Sequence, residues 1–262
     1  MRIQRISSKW EKTKVLNRNE QLRVYIPDTR PFSPEQLESM LEEYDMVYVK
    51  PDRGTFGNGV MSAERYRENE EEDSPWIYKL RFGIESIAFQ SVQELLKTLA
   101  ERIDKRPYLI QQGISMITHE NRKFDLRVLV QKTPRGNWET TGYIGRVAAK
   151  QKIVTNHHNG GMVLSIEELL NDYLNGKELA EFIRNLRGLG ERVGWQLQKK
   201  YPNLKEIGLD VAIDEDYWMW VLEVNTLPAL FPFKWLKDKS IYKKIREYAV
   251  AYGRLSGKKK TS

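Results

Sequence analysis

The segment IGLDVAIDEDYWMWVLEVN, residues 207–225, constrains most strongly what this chain can fold into. Two arms rich in aliphatic and aromatic residues flank an acidic turn at residues 214–216, which is the pattern of a β-hairpin. A short turn of this kind joins neighbouring antiparallel strands. The segment therefore predicts an antiparallel sheet in the second half of the sequence.

Three oxygen-bearing side chains, Asp210, Glu223 and Asn225, lie on the two arms of this hairpin. Side chains alternate between the faces of a strand, so Glu223 and Asn225 share a face. If the turn consists of residues 215 and 216, Asp210 pairs with Val221, which lies on that same face. Two carboxylates and an amide suit Mg²⁺, which prefers oxygen ligands. The alternative is one exposed carboxylate on each strand with Asn225 capping a strand end, but the apolar neighbours favour the metal site.

The rest of the chain alternates between helix and strand patterns. The segment RVLVQKTPRGNWETTGYIGRV predicts a second hairpin, with a turn at Pro-Arg-Gly-Asn. Ser33, Ser91 and Ser165 fit helix starts of the capping-box type, and apolar stripes with helical spacing follow. Strand-like runs occur at residues 46–49, 76–82, 108–111, 126–131, 138–148, 207–213 and 217–224. The predicted fold class is α+β with antiparallel sheets, in two lobes that meet near RPYLIQQG, residues 106–113.

The stretch VYVKPDRGTFGNGVM, residues 47–61, places Lys50 after an apolar run and then spaces Gly54, Gly57 and Gly59 over six residues. Such a stretch is typical of a plain turn with positive φ, or of a loop whose backbone N–H groups hold phosphate beside a lysine. It is not a Walker P-loop, because no Gly-Lys-Ser/Thr follows, and no helix pattern begins after Gly59 as a dinucleotide fingerprint requires. A second strand follows instead, which predicts a glycine-rich hairpin.

A third group of polar residues lies in DLRVLVQ and the segments after it. Asp125 and Arg127 share a strand face, Arg146 lies on the predicted partner strand, and Asn156 follows in VTNHHNGG. Arginines directed from a sheet into a cleft can stabilise the charge of a transferring phosphoryl group. The alternative is a pair of surface salt bridges, which contribute little. The adjacent histidines at 157 and 158 are interpreted as loop residues.

Composition excludes several classes of protein. The 262 residues include no cysteine, which excludes disulfides, thiolate zinc sites and cysteine nucleophiles. No window approaches the length of about 18 apolar residues that a membrane span needs, and no signal-peptide pattern opens the sequence, so a cytoplasmic protein is expected. Three of the net +7 charges lie in GKKKTS, and the aromatics do not follow a basic stripe. A flexible tail at residues 255–262 is therefore expected, and nucleic acid is not an expected partner.

Taken in order, these motifs resemble the ATP-grasp superfamily. They run from Lys9 in SSKW and the Pro-x-Thr at residues 27–29, through the strand lysine and the glycine-rich loop, to IQQGI, DLR and finally EVNTLP. EVNTLP is similar to the E-x-N-x-x-P segment that carries two metal ligands in that superfamily. The resemblance covers about residues 7–235 and is closest to the YheC/YheD-type, endospore coat-associated branch of spore-forming bacteria.

The resemblance implies roles for residues of the nucleotide site. Lys9 and Lys50 would contact the phosphates of ATP, and the loop with its three glycines would close over them. A hinge would read adenine through the Gln112 carbonyl and the Ile114 N–H; its residues are Gln111, Gln112, Gly113 and Ile114.

Further roles follow for the polar residues of the second lobe. Asp125 would lie near the ribose or the phosphates, and Asn156 matches the asparagine of an Arg-Ser-Asn segment in the related ribosomal-protein glutamate ligases. Here Val154 occupies the first position of that segment, so another group must supply one phosphate contact. Mg²⁺, as two ions, would be held by the oxygen ligands Asp210, Glu223 and Asn225.

The activity that the resemblance implies is ATP-dependent C–N ligation. A carboxylate takes the γ-phosphoryl group of ATP to give an acylphosphate, which an amine then attacks. Magnesium, Arg127 and Arg146 would stabilise the transferring charge, so no cysteine nucleophile is needed. The lobes are expected to comprise residues 1–107, with the glycine-rich flap, and residues 108–254, with the hinge and the metal site.

The sequence leaves the location of the substrate site undecided. Only eight residues precede Lys9, where most ATP-grasp ligases carry a further domain. The second lobe alone could build this site, or a partner such as a spore-coat protein could complete it. The chain could also be a nucleotide-binding protein of the spore coat that lacks ligase activity. A phosphotransferase that uses the same cleft is the remaining alternative.

Overall fold

The computed structural model describes residues 3–55, 57–69, 71, 73–103, 105–148 and 162–256. The elements follow in the order α1 (Lys9–Asn17), α2 (Glu20–Arg23), β1 (Thr29–Pro31), α3 (Pro34–Glu43), β2 (Met46–Pro51), β3 (Met61–Arg67), β4 (Trp76–Phe82), β5 (Glu85–Phe89), α4 (Val92–Arg102), β6 (Tyr108–Gln112), β7 (Thr118–His119), β8 (Arg122–Lys132), β9 (Trp138–Val147), β10 (Met162–Leu164), α5 (Ile166–Leu170), α6 (Gly176–Lys200), β11 (Glu206–Ile213), β12 (Met219–Asn225), a 3-10 helix (Phe231–Trp235) and α7 (Lys239–Ala251). This is a mixed α+β architecture, which confirms the predicted fold class.

The strands form two antiparallel sheets. Over the described residues, the first sheet has the order β1-β6-β2-β3-β4-β5, and the second has the order β10-β9-β8-β11-β12, with β7 paired to β8. Helices α3 and α4 bury their apolar stripes against the first sheet. Helices α1, α2, α5 and α6 cover one face of the second sheet, and the 3-10 helix with α7 covers part of the other.

The three predicted helix starts are confirmed. The Oγ atoms of Ser33, Ser91 and Ser165 each accept a hydrogen bond from the backbone N–H three residues later, at 3.2, 3.3 and 3.1 Å. At Ser165 the Glu168 side chain also accepts from the Ser165 backbone N–H, which completes the capping box. Among the helices that the structure describes, none combines the length and apolar character that crossing a membrane requires.

The two sheets do not follow the predicted division at residue 107. Strand β6 pairs with β1 and β2, so residues 108–112 belong to the first sheet. Helices α1 and α2 precede that sheet in the sequence, yet Val15, Leu16 and Leu22 lie in the core of the second sheet. Along the described sequence, α1 and α2 therefore belong to the second lobe, the segment from β1 to β6 forms the first lobe, and the residues after β6 belong to the second lobe again.

The predicted pairing of Asp210 with Val221 is wrong, although the predicted shared face is correct. Asp214 bonds to Trp218 across the turn, so the turn holds three residues, 215–217, rather than two. That change alone would place Asp210 opposite Leu222 and turn Glu223 to the other face. Instead Val211 pairs with Val221, Leu222 forms a β-bulge, and Asp210 pairs directly with Glu223.

Candidate functional site

The two sheets enclose a cleft of about 430 Å³, and most of the predicted site residues line it. These are Lys9, Lys50, Gly54, Gly57, Gln111, Ile114, Asp125, Arg127, Arg146, Asp210, Glu223 and Asn225. Of the other described positions, Gly59, Gln112 and Gly113 are not part of this lining. Asn156 lies outside the described residues, as do the two histidines that follow it.

The glycine-rich loop joins the antiparallel strands β2 and β3, as the sequence predicts. Gly54, Gly57 and Gly59 have φ values of 147°, 75° and 75°, a region that glycine adopts without strain. A Cβ atom at Gly59 would lie 3.1 Å from the Tyr108 hydroxyl, so space is also restricted there. The Gly54 carbonyl accepts a hydrogen bond from Lys9 Nζ at 3.2 Å, which joins the loop to α1.

Lys50 is buried between the sheets. Its Nζ donates to Gln111 Oε1 at 2.6 Å and to the Leu222 carbonyl at 3.3 Å. Gln111 Nε2 donates to the same carbonyl at 3.3 Å and to Thr29 Oγ1 at 3.0 Å. Burial lowers the pKa of Lys50 to about 8, while the charge of Glu223 opposes the shift. The bulge residue of β12 therefore supplies an oxygen that two side chains of the first sheet share.

Helix α1 adds two further lysines near Glu223. Lys9 Nζ lies 3.7 Å from Glu223 Oε1. Lys12 is one helical turn later and only 4% exposed, and its Nζ donates to the Ile6 carbonyl at 3.2 Å. Burial lowers the pKa of Lys12 to about 8, again opposed by Glu223. Lys12 was not predicted as a site residue; its position three residues after Lys9, on the same helical face, is the signal in the sequence.

Arg127 and Arg146 form a buried network with two carboxylates. Arg127 Nε donates to Asp210 Oδ1 at 2.6 Å, and Arg146 Nη2 lies 3.1 Å from the same oxygen. Arg146 also donates to both oxygens of Asp125, at 2.7 and 2.5 Å. Burial raises the pKa of Asp210, but the two guanidinium groups outweigh it and hold that pKa below its usual range. These pairs are buried, so the alternative of surface salt bridges is wrong.

The oxygen ligands predicted for Mg²⁺ differ in availability. All three line the cleft, but both carboxylate oxygens of Asp210 also accept hydrogen bonds from Arg127. Over the described ranges, no three acidic or histidine side chains gather as a metal site. Mg²⁺ commonly binds one or two protein oxygens and keeps several waters or phosphate oxygens. Glu223 and Asn225 therefore fit this ion, and Asp210 would share its oxygens between the ion and the two arginines if it joined them.

The predicted hinge connects the two sheets. The Gln112 N–H donates to the Asp28 carbonyl and the Gly113 N–H donates to the Met46 carbonyl, both at 2.8 Å. A Cβ atom at Gly113 would lie 2.6 Å from that Met46 oxygen, so only glycine fits there without a shift. Ile114 follows and lines the cleft.

Asp52 is a second site residue that was not predicted from the sequence. Its Oδ1 accepts from Ser8 Oγ at 2.9 Å and from the Trp10 N–H at 2.8 Å. Its backbone carbonyl accepts from the Lys9 N–H at 2.9 Å. An acidic residue two positions after the strand lysine is the signal in the sequence. Asp52 fixes the start of α1, and hence Lys9, beside the glycine-rich loop.

Comparison with known proteins places these features in a family. A family model described as "YheC/D like ATP-grasp" matches residues 3–255. The chain is 25% identical over 224 residues to the endospore coat-associated protein YheC of Bacillus subtilis (strain 168), and the aligned region covers 85% of this chain and 60% of that protein. It is 27% identical over 214 residues to the endospore coat-associated protein YheD of the same organism, and the aligned region covers 77% of this chain and 45% of that protein. The chain thus spans only part of the length of these two relatives.

Proposed function

This chain belongs to the YheC/D-like ATP-grasp family, and from that membership we propose that it is an ATP- and Mg²⁺-dependent ligase that joins a carboxylate to an amine. One observation carries the proposal. Lys9 of α1, Lys50 of β2, the glycine-rich loop and the Glu223–Asn225 face surround one cleft between the two sheets.

The described side chains suit a polyphosphate. Lys9 and Lys50 supply positive charge, and the backbone N–H groups of the glycine-rich loop offer donors to phosphate oxygens. Glu223 and Asn225 would hold Mg²⁺, which when bound neutralises phosphate charge and acts as a Lewis acid. Gln111 holds Lys50 in place through the 2.6 Å hydrogen bond.

The proposed reaction needs no protein nucleophile. A substrate carboxylate oxygen attacks the γ-phosphorus of ATP, and ADP leaves. An amine nitrogen then attacks the acyl carbon of the acylphosphate, and phosphate leaves as the amine loses a proton. Arg127 and Arg146 border the cleft, where their charge would stabilise the transferring phosphoryl group.

A second candidate function is nucleotide binding without ligation, in a protein of the spore coat. The observation that favours it is the engagement of both Asp210 oxygens by Arg127. The names of the two relatives support an association with the endospore coat, and a coat protein as a partner, under either function. A cytoplasmic location stays a prediction.

Thermal denaturation tests nucleotide binding. ATP with Mg²⁺ is expected to raise the melting temperature of the purified protein, and omission of Mg²⁺ is expected to reduce the shift. Glu223→Gln should lose most of the Mg²⁺-dependent part, while Glu181→Gln, an exposed residue on α6, should keep it. An equal shift in both variants contradicts the proposed metal site.

Phosphate release separates the functions. A ligase should release ADP and phosphate only when a pool of carboxylates and amines is supplied. A stable phosphorylated product in place of free phosphate would identify a phosphotransferase instead. ATP-dependent stabilisation without turnover on any pool would favour the nucleotide-binding coat protein.

A further inference from the structure

Apolar side chains line the cleft on both sides of Asp210. On one side, Met116 pairs with Asp214, four residues after Asp210 on the β11–β12 hairpin. On the other side, Pro228 packs against Gly208, two residues before Asp210; a Cβ atom on Gly208 would lie 2.7 Å from Pro228 Cβ. The charged groups of the site therefore lie between a hinge-side wall, formed by Ile114 and Met116, and a second apolar wall.

The second wall is the segment that follows Asn225. Its cleft-lining residues are Leu227, Pro228, Ala229, Phe231 and Pro232. Leu227 is 62% exposed and Phe231 is 46% exposed, although both are large apolar residues. Exposed apolar residues that gather beside a cleft are typical of a binding surface.

This exposure does not come from loose packing of the segment. Leu230 and Phe233 are buried in the cluster that also contains Leu129 and Ile144. The Pro228 carbonyl accepts a hydrogen bond from Arg254 Nη2 at 2.8 Å. The segment is therefore held at intervening positions, while its other side chains are presented to the cleft.

We infer that the second wall binds the apolar part of the carboxylate substrate, so that this chain acts on carboxylic acids with an uncharged hydrocarbon group. The inference rests on the proposed function, in which the base of ATP lies at the hinge-side wall and its phosphates lie in the charged centre. The carboxylate of the substrate then lies near the lysines and arginines, and its hydrocarbon group extends toward Leu227.

The chemistry of the second wall selects against charged groups. Leu227 and Ala229 offer no ionic or aromatic partner, so an ammonium or carboxylate group placed against them would lose hydration without compensation. A hydrocarbon group in the same place gains from removal of apolar surface from water. The second wall begins close to the proposed metal ligands, because Leu227 follows Asn225 by two residues, about 7 Å of extended chain.

Three six-carbon acids test the inference: hexanoate, adipate and 6-aminohexanoate, which differ only at the end remote from the reacting carboxylate. Hydroxylamine serves as the amine. Its nitrogen attacks the acylphosphate carbon and phosphate leaves, which gives a hydroxamate that can be measured. Binding of each acid is measured separately by calorimetry, with Mg²⁺ and a non-hydrolysable ATP analogue present.

Hexanoate is expected to exceed the other two acids by about tenfold in kcat/KM and in affinity. Leu227→Asp should abolish this preference and leave the KM for ATP within about twofold of its original value. The control is Ile84→Asp, which changes an 81% exposed apolar residue in the turn between β4 and β5 and should leave the preference unchanged.

The outcomes separate this inference from the proposed function. Preferential binding of hexanoate without hydroxamate supports the substrate class and contradicts the ligase. Hydroxamate from adipate or 6-aminohexanoate in preference to hexanoate supports the ligase and overturns the substrate class. Binding of none of the acids, or a preference that Leu227→Asp leaves intact, also overturns it.

Discussion

Arg127 and Asp210 lie directly opposite each other on neighbouring strands and form a two-point ion pair, with Nε–Oδ1 and Nη2–Oδ2 distances of 2.6 and 3.2 Å. Arg146 reaches the same carboxylate from the next strand. Asp210 is buried and Arg127 is largely buried, so removal of one partner leaves charges without compensation. Its main structural role is to hold two guanidinium groups at the cleft.

Asp210→Asn is expected to lower the free energy of unfolding by about 3 kcal/mol, because two buried guanidinium groups lose their shared anion. Since the pKa of Asp210 is lowered in the folded protein, its contribution is complete above the ordinary aspartate pKa and is lost as pH falls below about 4. Urea unfolding at neutral and acidic pH measures both effects. Asp216→Asn, in the exposed turn, is the control, and an equal effect of the two variants would contradict the prediction.

Lys12→Met is expected to stabilise the protein by about 2 kcal/mol at neutral pH, because the apolar side chain avoids the desolvation of a buried ammonium group. The pKa of Lys12 is about 8 when folded and 10.5 for the ordinary lysine, so between these values the unfolded chain binds more protons. Stability of the unmodified protein should therefore rise with pH across that window, and the advantage of Lys12→Met should shrink.

Urea unfolding of Lys12→Met at pH 7 and at about pH 9.5 checks this behaviour. Lys199→Met, at an exposed position of α6, provides the control and should show neither effect. A Lys12→Met protein that is less stable than the parent at neutral pH would show that the contacts of Lys12 outweigh its burial.

Asp52→Ala is expected to destabilise the protein by about 2 kcal/mol, because Ser8 Oγ and the Trp10 N–H lose their acceptor. Asp52→Asn retains an oxygen acceptor and should cost less than half as much. Because Asp52 also fixes the start of α1, the alanine variant should expose the chain near Lys9 to limited proteolysis. Equal resistance of Asp52→Ala and Asp52→Asn to proteolysis near Lys9 would indicate that other contacts hold α1 in place.

Glu206 is 0% exposed and joins both ends of the described chain to β11. Its oxygens lie 2.7 Å from Arg5 Nη2, 2.5 Å from Arg254 Nη1 and 2.7 Å from the Tyr252 hydroxyl. Arg5 also donates to the Thr226 carbonyl, so this carboxylate supports the segment that follows Asn225.

Glu206→Gln is therefore expected to lower the free energy of unfolding by about 3 kcal/mol, since two arginines lose a buried anion. It should also weaken Mg²⁺-ATP binding, because Arg5 no longer fixes the segment beside Asn225. Chemical denaturation and calorimetric titration measure the two effects, with Glu247→Gln on the exposed face of α7 as the control. Unchanged binding in a destabilised Glu206→Gln protein would restrict the residue to a structural role.

Local patterns in the sequence predicted much of the fold. Strand-like runs of aliphatic and aromatic residues located β2, β4, β6, β8, β9, β11 and β12, and the serine caps located the starts of α3, α4 and α5. Short strands such as β1 and β7 were missed, because three or two residues carry too little alternation to be recognised. Helix α1 was also missed, since KWEKTKVLN has few apolar residues and is held largely by contacts with α6 and Asp52.

In the candidate site, too, some features follow from local sequence patterns and others from tertiary contacts. The shared face of Glu223 and Asn225 follows from strand geometry, and the approach of Lys50 follows from its place at the end of β2. The ion pair that engages Asp210 and the burial of Lys12 depend on contacts between elements distant in sequence. Tertiary packing, rather than local pattern, decides which of the predicted oxygens are available.

The bulge at Leu222 has a consequence for how the two sheets stay joined. The oxygen shared by Lys50 and Gln111 belongs to the backbone, so any residue at position 222 can provide it. Deletion of the residue would still leave Glu223 opposite Asp210, but it would remove the irregularity that turns this carbonyl toward the first sheet. At this point the protein should tolerate a change of residue identity and resist a change of chain length.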